Sequence, residues 1–279
     1  TPTVFASGRS SLMVLPKVAV IISNYNYGEF VLEAIHSALD QDYKGELRVF
    51  VLDDGSSDDS WEKISVFAAN TISKQTVHTP YYEGPIERRE MDGLTALRID
   101  NSGASTARNV AIWEAWEWAD VFAILDADDM YAHNKISIQV EKLMEHDDVG
   151  VTYSDYTIHK TYNGNDYRKY EYKYPYSLKE LHQQCIVHSA GVIKKRFLQD
   201  ILLPEKKEFY DSNLHGPASR GFIGCTEDYD LWLRLSRICM MVHVPQPLSF
   251  VRETGQNQSM KMTQDIFINN MEKISSRDE

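Results

Sequence analysis

An α/β fold on a mostly parallel sheet, with helices on both faces, follows from three observations on this sequence. Short apolar runs of strand length recur at Val18–Ile22, Leu47–Leu52 and Val121–Leu125. Stretches with apolar residues at helical spacing lie between them, and that alternation implies strand–helix–strand crossovers and parallel pairing. Each run also breaks into a polar cluster at its carboxyl end: Asn24–Tyr27, Asp53–Asp58 and Asp126–Asp129. In such sheets ligands bind beyond the carboxyl ends of the strands, so the three clusters are expected to share one site.

Lys17–Ser23 is a buried strand, Asn24–Gly28 a polar turn, and Phe30, Val31, Ala34, Ile35, Ala38 and Leu39 the broad apolar face of a helix. After the strand Leu47–Leu52, Asp58 or Asp59 caps a helix through Trp61, Ile64 and Phe67. From Thr71 to Arg98 the pattern dissolves around Pro80, Gly84, Pro85 and Gly93, which reads as a long loop or hairpin insertion. Asn101-Ser102-Gly103 leads into a helix from Ser105 to Trp118, and the strand ending at Asp126 closes this half. Beyond it we expect a helix over Asn134–Met144, a strand over Val149–Ile158 and a tyrosine-rich hairpin over Tyr162–Tyr176. A short helix at Ser177–Gln183, a strand at Cys185–Ile193 and a mobile loop at Pro204–Gly221 come next. Thr226 opens a helix carrying Leu231, Trp232, Leu235 and Ile238, and from Val244 the chain reads as loop and short strand ending in a polar tail. The expected division is an extension over 1–16, a first half over 17–130, a second half of the same domain over 131–260, and a tail over 261–279.

With 279 residues the chain can bury a substantial core. Its formal charge of -12 argues against a nucleic-acid partner and against a polybasic membrane patch. Phosphates would have to be handled by a metal and backbone amides. Cys185, Cys225 and Cys239 have no paired spacing, which suggests a reducing compartment rather than a disulfide framework or zinc site. No apolar stretch approaches the roughly 20 residues of a membrane span. Thr1–Ser11 lacks the order of a signal peptide, and the start without Met reads as an excised fragment. The expected location is the cytoplasm, free or peripheral to the inner face of a membrane.

Asp126 and Asp128 sit two apart at a strand end, so in an extended segment both face one site while Asp129 turns away. Paired carboxylates repel unless a positive charge sits between them. A hard divalent cation is the natural candidate, and it could hold the phosphates of a nucleotide. The alternative is an acidic strand-to-helix turn in which Asp128 or Asp129 merely caps the helix after it.

Five segments in order, VAVIISNYNYGEFVLEAIHSALDQDY, VLDDGSSDDS, NSGASTARN, ILDADD and TEDYDLWLRL, make the chain resemble the family 2 glycosyltransferases from Val18 to Ser259. These are inverting nucleotide-sugar transferases of the GT-A fold. The resemblance implies a Rossmann-like sheet with a nucleotide-sugar-binding half (17–130) and a smaller mixed acceptor-binding half (131–260). It implies that Asp53 or Asp54 accepts the uracil N3–H, with Asn24 and Tyr25 against uracil and ribose. Asn101–Asn109 would pass beside the donor. There Gly103 allows close backbone approach, and Arg108 offers a charge-assisted bond to a carboxylate or phosphate, a surface ion pair being the plainer reading. Ala111 stands where the family commonly has Gly. Asp126 would contact the ribose, with Ala127 beside it, and Asp128 would ligate Mn²⁺ or Mg²⁺ through the diphosphate. His133 and His243 are further candidate ligands.

Thr226-Glu227-Asp228 matches the family's acidic motif, with Asp228 as the base and Glu227 as fallback. A helix N-terminus would favour the ionised carboxylate. Arg252-Glu253-Thr254 keeps half of an Arg-x-His pattern, and Arg252 would reach the diphosphate. No Gln-x-x-Arg-Trp occurs, which points away from processive synthases. The implied activity is a metal-dependent, inverting, non-processive transfer from a UDP-linked sugar to a glycan or other hydroxyl acceptor. The tyrosine-rich segment and Pro204–Gly221 would shape the acceptor groove. The rival class is a non-catalytic nucleotide- or glycan-binding module on the same fold. A nucleotidyltransferase is disfavoured because Asn24–Gly28 carries no Lys or Arg.

Overall fold

The structure is a computed structural model that describes residues 14–68, 71–72, 79–162, 165–183, 185–214, 226–254 and 272–274. In chain order the elements are β1 (Val18–Asn24), α1 (Val31–Leu39), β2 (Leu47–Asp54), α2 (Ser60–Phe67), β3 (Thr71–Ile72), β4 (Glu87–Met91) and β5 (Leu94–Ile99). They continue with α3 (Ala104–Ala115), β6 (Val121–Asp126), β7 (Met130–Tyr131), α4 (Lys135–Met144), β8 (Val149–Tyr162) and β9 (Asn165–Glu171). The last are α5 (Leu178–Gln183), β10 (Val192–Lys194), α6 (Lys195–Asp200), α7 (Thr226–Leu235) and β11 (Met240–Arg252).

One sheet runs β3-β4-β5-β2-β1-β6-β10-β8-β11-β7, with β9 on β8. The centre, β5-β2-β1-β6, is parallel throughout. β10 crosses antiparallel between β6 and β8, while β8 and β11 pair parallel. Alternation along the central strands sorts their side chains into two apolar layers. Ala19, Ile21, Phe50, Leu52, Phe122 and Ile124 pack on one side with α3 and α7. Val18, Val20, Ile22, Val49, Val51 and Ala123 pack on the other with α1, α2 and α4. With β1 buried from both sides, its register aligns Asn24 with Asp53 and Ser23 with Asp126, so the polar clusters meet at one edge.

Several elements differ from expectation. The segment over 71–98, read as a long loop or hairpin insertion, does hold a hairpin, β4–β5, but it is no insertion, because β5 joins the parallel core beside β2. Cys185–Ile193 is not a strand: pairing begins only at Val192, because the residues before it turn toward the ends of β6 and α4. The described part of the presumed mobile loop is packed, with Glu208, Phe209, Tyr210, Asp211 and Leu214 buried. The end of the chain carries β11, 13 residues long, in place of a short strand. The tyrosine-rich hairpin expected over Tyr162–Tyr176 lies further back in the chain: β9 pairs antiparallel with Tyr156–Tyr162, the end of a β8 longer than the expected Val149–Ile158 strand. Residues 1–13, 215–225 (with Cys225), 255–271 and 275–279 lie outside the described residues, as does most of the extension and tail.

Candidate active site

The ends of β1 and β2 are joined by Asp53. Asn24 Nδ2 donates to its Oδ1 at 2.8 Å, and the Ser56 hydroxyl and N–H donate at 2.5 and 3.1 Å. Arg98 Nε stands 3.5 Å from its other oxygen. Asp54 accepts the N–H groups of Ser102 and Gly103 at 2.7 and 2.8 Å, with Asn101 Nδ2 at 3.4 Å. Burial pushes its carboxyl up to about 6 against these bonds. Both carboxylates offered for the base are thus engaged by neighbouring loops. Asn24 Oδ1 is buried without a hydrogen-bond partner among the described residues, while Tyr25 is exposed. Gly55 has φ +67, and a Cβ on it would lie 2.6 Å from the Asn101 nitrogen, so glycine is what lets the two loops close. Gly103, at φ +92, turns the chain into α3.

Arg108, on α3, is the hub of the centre. It is 4% exposed, so it is no surface ion pair. Its Nη2 donates to Asp126 Oδ1 at 2.8 Å and its Nη1 to Glu227 Oε1 at 3.1 Å, with Asp228 Oδ1 3.8 Å away. The guanidinium also lies over the Tyr210 ring at 5.4 Å. Asp126 Oδ2 accepts the Ser189 hydroxyl at 2.7 Å. Burial alone would raise the Asp126 carboxyl, but Arg108 and Ser189 outweigh it and hold it below the ordinary range.

Asp228 behaves oppositely. Burial pushes it up to about 8, Arg108 offsets this in part, and Glu227 and Asp126 add to the rise. The position at the head of α7 was expected to favour the ionised form, yet loss of water outweighs the helix dipole there. Its Oδ1 has no hydrogen-bond partner among the described residues.

After β6 the chain turns through Ala127, which is buried. Asp128 hydrogen-bonds the Tyr27 side chain, and its carboxyl is pushed up to about 7 by burial and then by Asp126. Asp129 turns to the other side and accepts the Arg252 N–H at 2.9 Å. Arg252 Nη1 donates to the Asp128 carbonyl at 3.1 Å, Nη2 pairs with Glu33, and the guanidinium lies 4.9 Å from the Phe30 ring. Its contacts thus brace the acidic turn against α1. His243 Nε2 bonds Asp155 at 2.7 Å, and His133 bonds the Asp40 carbonyl at the surface, so each is spent away from Asp128.

Among the described residues no group of three His, Cys, Asp or Glu is arranged to hold a metal. One or two carboxylates at a strand end nevertheless fit Mg²⁺ or Mn²⁺, which take few protein ligands and complete their shell with substrate phosphates and water. Burial first, and Asp126 second, push the Asp128 carboxyl up, and a cation bound there would oppose both.

Ser189 was missed by sequence reasoning, while Tyr27, Ser56, Asn109 and Tyr210 lay within segments singled out from the sequence but were given no role of their own. Asn109 accepts the N–H groups of Phe209 and Tyr210 at 3.1 and 2.9 Å and donates to the Tyr210 carbonyl at 2.7 Å.

A mainly parallel central sheet with an acidic turn at the end of a central strand is the architecture of the GT-A fold. It matches S. aureus TarS bound to UDP with a TM-score of 0.63 at 16% identity, covering 93% of this chain and 64% of that one. It also matches a Pyrobaculum calidifontis mannosyltransferase bound to GDP-Man and Mn²⁺, TM-score 0.58 at 16% identity, over 87% and 59%. These are GT-A fold enzymes. Residues 19–202 match the model of glycosyl transferase family 2, and the chain belongs to that family. Among relatives, the Escherichia coli UDP-Glc:α-D-GlcNAc-diphosphoundecaprenol β-1,3-glucosyltransferase WfaP is 30% identical over 148 residues, 52% of this chain and 48% of that protein. The Bacillus subtilis teichuronic acid biosynthesis glycosyltransferase TuaG, a putative assignment, is 28% identical over 47% of this chain and 43% of that protein. The chain therefore spans less than half the length of these two relatives. No helix among the described residues is long and apolar enough to cross a membrane.

Proposed function

We propose that this domain transfers a sugar from a UDP-linked donor to a hydroxyl of a glycan or other acceptor, with inversion at the anomeric carbon and a divalent cation at Asp128. The observation that carries the reading is Asp228: a buried carboxyl with an oxygen unpartnered among the described residues, sharing Arg108 with Asp126 of the acidic turn. In a single displacement the acceptor oxygen bonds to the anomeric carbon, the bond to the diphosphate breaks, and Asp228 Oδ1 takes the acceptor proton. A carboxyl pushed up to about 8 is a strong base for its type once ionised, suited to work near neutral pH. Arg108 holds Asp126 ionised for the ribose and keeps Glu227 in place beside the base. Asn24 and the Asp53–Ser56 turn would flank the uracil, and Gly103 would let the donor lie close to the backbone. The cation, when bound, supplies charge to the departing diphosphate. The UDP of the TarS complex and the UDP-Glc donor of the E. coli relative support the choice of nucleotide.

The test is hydrolysis of a nucleotide-sugar panel with and without Mn²⁺, in wild type and Asp128→Ala. Metal-dependent release of UDP from one donor, lost in the variant, is the expected result. No release from any donor, with no nucleotide-sugar-induced rise in Tm, would return the domain to the binding-module class.

A further inference from the structure

Tyr172, Lys173 and Tyr174 follow β9 as a strap in which both tyrosines are exposed and the lysine between them is half-buried. The strap is fastened. The Lys173 N–H donates to Asp155 Oδ1 at 2.7 Å, and the Tyr153 hydroxyl donates to the Tyr174 carbonyl at 2.6 Å. Lys173 Nζ lies 5.4 Å from the centre of the Tyr156 ring. That ring packs on His188 at 4.7 Å, and the next residue, Ser189, holds Asp126. Short contacts therefore run from the ammonium to the acidic turn. They reach it from the β8 side of β6, opposite the flank where β1, β2 and β5 carry the nucleotide loops.

In a chain with 41 acidic and 29 basic residues, this cation has no carboxylate oxygen within 4 Å among the described residues. Asp155 is spent on three other donors: the Lys173 N–H, the Tyr170 hydroxyl at 2.9 Å and His243 at 2.7 Å. Arg108, by contrast, is paired through both Nη atoms with its own acids, Asp126 and Glu227. His188 is pushed down to about 3, first by burial and then by Lys173, so it stays neutral and adds no second charge. Burial lowers the pKa of the Lys173 ammonium, and Cys185, Glu171 and Asp155 offset this only in part, so the group has given up water without gaining a contact ion pair, which leaves it open to an anion.

We propose that Lys173 forms an acceptor-side subsite for an anionic group, a carboxylate or phosphate carried by the acceptor next to the hydroxyl that is glycosylated. This rests on the reading of Asp126 and Asp228 as the transfer site. The exposed rings of Tyr172 and Tyr174 would flank the sugar that bears the anion, offering flat apolar faces to its C–H surfaces.

The test uses three probes with the whole chain loaded with UDP and Mn²⁺: methyl β-D-glucoside, methyl β-D-glucuronide and glucose 1-phosphate. Dissociation constants come from ligand-observed NMR titration. Wild type should bind at least one anionic probe about tenfold more tightly than the neutral one, as a charge-assisted bond provides. Which of the two it prefers identifies carboxylate or phosphate. Lys173→Met and Lys173→Gln should both bring the anionic probe to within about twofold of the neutral one, and Lys173→Arg should keep the preference. Two isosteric replacements guard against a folding defect in either, each being checked by thermal unfolding. Equal binding of all three probes by wild type, or a preference that survives in Met or Gln, overturns the proposal. Donor hydrolysis by the same wild-type preparation separates the two levels. If it is absent while the Lys173-dependent preference is present, the transfer reading fails and the anion subsite stands.

Discussion

Replacing Asp228 by Asn removes the proposed base and should make the protein more stable, by an amount that depends on pH. The folded carboxyl titrates at about 8 against an ordinary value of 3.8, chiefly because it is buried. Between those values the folded chain holds a proton that the unfolded chain has released. Wild-type stability therefore falls as pH rises from about 4 to about 8 and levels off above. The interval from 3.8 to pH 7, at about 1.4 kcal/mol per pH unit, comes to about 4 kcal/mol of stability lost to this one group. Asn keeps the shape and needs no proton. At roughly 2–3 °C per kcal/mol for a chain of this size, Asp228→Asn should melt about 8–12 °C above wild type at pH 7. The difference should shrink toward zero at pH 4. The assay is thermal unfolding of both proteins at pH 4, 5, 6, 7 and 8, with transfer or hydrolysis measured alongside and expected to drop about 10²–10⁴-fold. A melting difference that does not vary with pH, or a variant less stable than wild type at pH 8, would refute the reasoning.

Arg108→Met should destabilise by about 3–5 kcal/mol in urea unfolding at pH 7, because Asp126 and Glu227 are left buried without their common counter-charge; a loss below about 1 kcal/mol would mean water reaches them. Mn²⁺ with UDP should stabilise wild type by about 2.7 kcal/mol at a hundredfold excess over Kd, read as a Tm rise, and Asp128→Asn should abolish most of it; an undiminished rise would place the cation elsewhere. Gly55→Ala should cost about 1–3 kcal/mol and raise the donor KM more than it lowers kcat, since both the positive φ and the 2.6 Å approach to Asn101 oppose a methyl group. An unchanged Tm and KM would show that the two loops can part freely.

The parallel centre was legible because β1, β2 and β6 are buried on both faces and so read as unbroken apolar runs. β5 was not. It follows β4, a half-exposed charged strand, and its place beside β2 is set by long-range pairing that local pattern does not encode. β11 was hidden by Pro245 and Pro247, which argue against a strand. The chain absorbs them with register shifts between Val244 and Ser249, where it slips past β8. The Cys185–Ile193 run has strand composition, yet Lys135 Nζ takes the Ala190 carbonyl and Ser189 takes Asp126, and both pull it off the sheet. At the site the residue types were readable, but their alliances were not. Nothing in the sequence joins Arg108 to Glu227, 119 positions away, or opposes burial to the helix dipole at Asp228.

α3 touches three territories within six residues. Just before it, Asp54 clasps the Ser102 and Gly103 amides, its fifth residue Arg108 reaches the carboxylates, and its sixth, Asn109, grips the backbone of Phe209 and Tyr210. From Ala104 to Asn109 is about 8 Å of stiff rod at 1.5 Å per residue. The helix is thus a crossbar with the nucleotide loop lashed at one end and the Phe209–Tyr210 loop further along. Any tilt imposed at the Asp54 end must be felt at Tyr210, so the loops on the two flanks of Arg108 cannot adjust independently, and a substitution along this bar is expected to disturb both together.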